Sequence, residues 1–146
     1  MIYSTPGFIA VAATKTPIIL TGGTTVRPRV TAYCVSTDGT PTSDQGVRFR
    51  LARSTAAGTA TAQVPNPTDL LAAVATVGVN ASVEPTYAGV DMINRSFNPR
   101  ATHQWVAYDP SAELIVPATA ANGMGIQCVT AGGAAGNFLA DLTWRE

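Results

Sequence analysis

The chain has 146 residues and 15.0 kDa, carries no net charge at pH 7, and is 46% apolar but only 12% charged. That length makes one domain, residues 1–146, with a core of its own, and the apolar share excludes a disordered chain. The neutral balance, with no basic stripe, excludes nucleic-acid binding as a main activity, and no run approaches the ~20 apolar residues of a membrane-spanning helix.

Short alternating segments, each cut off by Gly, Pro or Asn-Gly, run from end to end. Residues 7–13 predict a first strand and 17–20 a second, closed by Thr21-Gly22-Gly23-Thr24. Residues 29–35 alternate, with Val30, Ala32 and Cys34 on one face and Arg29, Thr31, Tyr33 and Val35 on the other. Asp38-Gly39 signals a turn, and 46–53 repeat the pattern with Val47, Phe49 and Leu51 inward and Arg48 and Arg50 outward. Residues 56–64 are weakly strand-like. Pro67 followed by Thr68-Asp69-Leu70-Leu71-Ala72-Ala73-Val74 predicts a short helix or a single turn, with a strand or ordered loop as the alternatives. Residues 81–99 hold no long periodic segment and read as a short strand and a surface loop. Strands follow at 102–108, centred on Trp105, and at 113–116, stopped by Pro117. After Asn122-Gly123, residues 124–130 are expected to pair with 138–145 as a terminal hairpin around a Gly-rich tip. In that last strand Phe138, Ala140, Leu142 and Trp144 share the inward parity.

Roughly eight short strands with turns between them predict an all-β, antiparallel sandwich. A jelly roll is the first choice and an immunoglobulin-like sandwich the second.

The sequence supplies little reactive chemistry. His103 is the one histidine, so a Ser–His or Cys–His pair has a single candidate and no Gly-x-Ser-x-Gly elbow accompanies it. The carboxylates are scattered, with Asp38, Asp44 and Asp109 in turn-like settings, and no Asp-x-Asp-x-Asp-Gly calcium loop is present. Gly22-Gly23 and Gly132-Gly133 do not continue as phosphate loops. Cys34 and Cys128 sit apart in strand-like runs and read as free thiols, or as a disulfide if their strands meet. The expectation is therefore a protein without catalytic, cofactor or metal residues. Residues 1–6 lack the basic start and apolar core of a signal peptide, so synthesis in a cytoplasm is expected. Charge at about half the usual share, and arginine favoured over a single lysine, Lys15, lean toward a surface occupied by partners.

Three runs carry a resemblance: 100–108 (Arg-Ala-Thr-His-Gln-Trp-Val-Ala-Tyr), 113–118 (Glu-Leu-Ile-Val-Pro-Ala) and 122–126 (Asn-Gly-Met-Gly-Ile). With the ending Trp144-Arg145-Glu146, they resemble small β-sandwich proteins encoded in tailed-bacteriophage structural gene clusters. The segment 50–59 and Glu84-Pro85-Thr86 are similar too. The resemblance implies a non-enzymatic virion component made in the host cytoplasm. It implies a capsid decoration or cement protein on the capsid surface, bound to the major capsid protein and to its own copies. Trimers would suit a capsid's local threefold positions. Arg48, Arg50 and Tyr33 are the candidate assembly residues. The alternative is a carbohydrate-binding or host-attachment module of a tail or head fibre, with Tyr33, Tyr87 and Tyr108 as candidate glycan platforms.

Overall fold

The computed structural model describes residues 1–68 and 70–146. Among them lie twelve strands: β1 (Ile2–Ala10), β2 (Lys15–Thr21), β3 (Arg29–Thr37), β4 (Val47–Ala56), β5 (Thr59–Gln63), β6 (Asn66–Pro67), β7 (Thr76–Val83), β8 (Thr86–Phe97), β9 (His103–Val106), β10 (Leu114–Ile115), β11 (Gly123–Thr130) and β12 (Asn137–Arg145). One 3-10 turn, Pro110–Ala112, is capped by the Asp109 side chain. The strands form two antiparallel six-stranded sheets. The first runs β6-β1-β12-β3, with β9 and β10 both on the far edge of β3; the second runs β5-β7-β2-β11-β4-β8. Their inner faces pack as a β-sandwich.

Period-two alternation builds the core. On β12 the buried residues are Phe138, Ala140, Leu142 and Trp144, and on β4 Val47, Phe49 and Leu51. With Ile18 and Leu20 of β2 and Met124 and Ile126 of β11, they form one core cluster between the sheets. Gly7 lies where β1 approaches β2: a Cβ there would press into the Pro17 carbonyl oxygen and stand 2.9 Å from Ile18 Cβ. Any side chain at position 7 would push the two sheets apart.

Several expectations need correction. The first strand begins at Ile2, not Gly7, because Pro6 is accommodated on a strand paired along its open side only at Tyr3 and Ser4. On β3 the strict alternation breaks. Trp144 pairs with Val30 and Thr143 with Ala32, leaving Thr31 as an extra residue. This bulge shifts the phase, so Val30, Tyr33 and Val35 face inward together while Ala32 and Cys34 do not. Among the described residues of 67–74 no helix forms. Residues 66–67 pair with β1, and Leu70 has a φ of 71°; Asp69 lies outside the described residues. Residues 86–97 form one twelve-residue strand rather than a short strand and loop. β8 is an edge strand whose register against β4 shifts three times, and that hides its periodicity. Finally, β11 and β12 are not a hairpin. Each lies between two other strands in opposite sheets, and residues 131–136 cross between the sheets. That link is pinned by Thr42 N donating to Gly133 O (2.8 Å) and Gly133 N to Gln45 O (3.0 Å).

Candidate functional site

Three surfaces carry the side chains that chemistry would use: the outer face of the second sheet and the two flanks where both sheets end.

The outer face holds Arg48 and Arg50. Arg50 is tied down within the chain: Nε donates to Gln127 Oε1 (2.9 Å), Nη1 pairs with Asp91 (3.2 Å), and the guanidinium lies 4.8 Å over the Tyr87 ring. Tyr87 covers Gly125, where a Cβ would stand 2.5 Å from its hydroxyl, and that hydroxyl bonds Thr16 Oγ1 (2.9 Å). Burial pushes the Tyr87 phenol well above its ordinary range. Arg48 is exposed and donates Nε to Asn94 Oδ1 (2.8 Å). Among the described residues, five of the nine basic side chains, namely Lys15, Arg29, Arg50, Arg100 and Arg145, sit in ion pairs. The scarce charge is thus largely consumed internally.

The first flank lies beside β5 and β6, the free edges of the two sheets. Val64 and Leu70 are 80% and 95% exposed. With Pro65, Pro67, Ala72 and Ala73 they line an open apolar recess of about 450 Å³. Leu71 and Val74, in the same segment, are exposed as well. Glu146 anchors the base of this segment, its carboxylate accepting from Val74 N (2.9 Å) and Ala75 N (2.8 Å).

The opposite flank lies between β8 and β9. Tyr33, Ile93, Arg95, His103, Gln104 and Trp105 line a groove of about 330 Å³. Tyr33 is 2% exposed, so its ring is a floor and not an open platform. Burial pushes its phenol up to about 12, against a smaller lowering by Arg95. The hydroxyl meets His103 Nε2 at 3.2 Å. Trp105 is half-buried and stacks on Tyr33 with centroids 5.7 Å apart. Of the tyrosines expected as glycan platforms, Tyr33 and Tyr87 are engaged as described, and Tyr108 stands exposed outside this groove.

The strands of Cys34 and Cys128 lie in different sheets and both thiols are free. Burial raises both, Cys128 to about 11, with Asp141 adding to the rise at Cys34. At neutral pH neither is a thiolate nucleophile. Among the described residues, no three His, Cys, Asp or Glu side chains group as a metal site, and no helix is long and apolar enough to cross a membrane.

Sequence reasoning placed Trp105 on a strand but did not find the groove, because Tyr33 and Arg95 reach it from distant strands. It missed the apolar flank because residues 67–74 read first as a short helix or helical turn. Comparison with known proteins gave no matching family model, no matching curated protein and no matching solved structure.

Proposed function

We propose that this chain is a non-enzymatic structural protein of a phage particle, a decoration or cement protein that binds the head lattice and its own copies. The observation that carries this reading is the apolar flank around Val64 and Leu70. Contiguous exposed apolar surface on a small domain marks an interaction site, and here it adjoins two open sheet edges. Further support comes from the few charges left free for solvent and from the resemblance of the last two thirds of the chain to phage sandwich proteins. Affinity in such an assembly comes from buried area and repeated copies rather than from one pocket, and a symmetric ring of copies, a trimer at a local threefold position, suits it. This reading puts the contact on the flank rather than on Arg50, whose guanidinium is already occupied, or on Tyr33, which is covered.

The test is binding to empty capsids. The purified protein is expected to bind saturably and to raise the capsid's melting temperature. Leu70→Ser and Val64→Ser should weaken binding while leaving the protein's own stability within about 0.5 kcal/mol, as suits exposed positions. Absence of binding, or variants that bind like the parent, would sink the proposal.

A further inference from the structure

We propose that the groove between β8 and β9 binds a saccharide carrying a carboxylate, such as a uronic or sialic acid. This is independent of the capsid reading, which uses the opposite flank.

The groove has three properties that together select such a ligand. First, its aromatic platform is fixed. Trp105 stacks on Tyr33 at an interplanar angle of 20°, Tyr33 meets Phe49 edge-on at 5.8 Å, and His103 lies 5.4 Å from Phe49. Phe49 is fully buried, so the core holds the half-buried indole in place. A fixed aromatic ring offers an apolar face to the C–H side of a sugar with little ordering cost.

Second, polar groups border that platform. Gln104 is exposed and makes no side-chain hydrogen bond among the described residues, so its amide offers both a donor and an acceptor. The Tyr33 hydroxyl and His103 Nε2 lie 3.2 Å apart, and the imidazole beside them lines the same groove as a further polar group.

Third, Arg95 is exposed and has no hydrogen bond or ion pair among the described residues, unlike Arg29, Arg50, Arg100 and Arg145. An unpaired guanidinium beside an aromatic ring matches a planar carboxylate through paired N–H donors. One guanidinium suits a single carboxylate and not the repeated phosphates of a nucleic acid. At about 330 Å³ the groove lies near the lower end of small-ligand sites, roughly 300–1,000 Å³, which fits a terminal sugar unit better than a long chain.

The experiment titrates the full chain with glucuronic acid, N-acetylneuraminic acid, glucose and glucose 6-phosphate at millimolar concentrations. Saturation-transfer NMR reports contact, and tryptophan fluorescence reports the partly exposed Trp105. At least one of the two acids should bind, with glucose weaker. Arg95→Gln should weaken acid binding by about tenfold or more, the loss expected for a charge-assisted hydrogen bond, and Trp105→Ala should remove the fluorescence response. Arg95 is exposed, so its variant should keep the parent's melting temperature and remain a fair test. The proposal is overturned if neither acid binds, if Arg95→Gln binds the acid unchanged, if glucose binds equally well, or if glucose 6-phosphate is preferred.

Discussion

Trp144→Ala is expected to destabilise the protein by about 3–5 kcal/mol, the usual cost of truncating a large buried aromatic side chain. Trp144 is fully buried and stacks on Tyr3 with centroids 5.8 Å apart. It also pairs with Val30 at the bulge that sets the phase of β3. The loss would be a large share of the roughly 5–15 kcal/mol available to a domain. Trp144→Phe should cost much less. It keeps a ring against Tyr3, and it removes an indole Nε1 that has no hydrogen-bond partner among the described residues, a donor that is costly to bury unpaired. Urea unfolding of both variants checks this. Equal losses for Phe and Ala would contradict this account of the indole.

The second large effect is loss of stability at alkaline pH. Burial raises the Cys128 thiol from 9.0 to about 11, while an unfolded chain returns it to its ordinary value. Because the folded value is the higher one, the stabilising contribution is complete below pH 9. It is lost progressively as pH rises from there through about 11. A rise of that size corresponds to about 3 kcal/mol in favour of the protonated thiol. Tyr33, raised from 10.0 to about 12, and Tyr87, raised in the same direction, extend the decline. Melting temperature should therefore be flat near neutrality and fall steeply above pH 9. Cys128→Ala should start lower, because it leaves a gap in the core, and decline less between pH 9 and 11. An unchanged slope in that variant would contradict the assignment.

Where the fold was legible, the strand's own alternation of buried and outward residues was unbroken. β12 and β4 show this, with Phe138 to Trp144 and Val47 to Leu51 falling inward as their parity predicts. Where it was not legible, the cause is local and physical. A single extra residue, Thr31, moves Tyr33 to the face of Val30, because a one-residue slip reverses every later side chain. β8 is largely exposed along an edge and shifts register repeatedly, so it leaves little alternation to read. Residues 131–136 suit a hairpin tip as well as a crossing between sheets, at roughly 10 Å of separation, and only the partners of β11 and β12 decide between them. The candidate sites were less visible still. Val64 and Leu70 look like ordinary core residues until the chain around them proves to lie outside the sandwich. Trp105 looks like a core residue of a strand until β9 proves to be an edge.

The two flanks divide the proposed tasks: an apolar side for assembly and an aromatic, arginine-bearing side open to small ligands. Assembly is the central claim, and the number of copies per particle tests it most directly. Quantitative mass spectrometry of purified intact particles should find the chain in a fixed ratio to the major capsid protein, at hundreds of copies per head. A handful of copies, or none, would contradict the account.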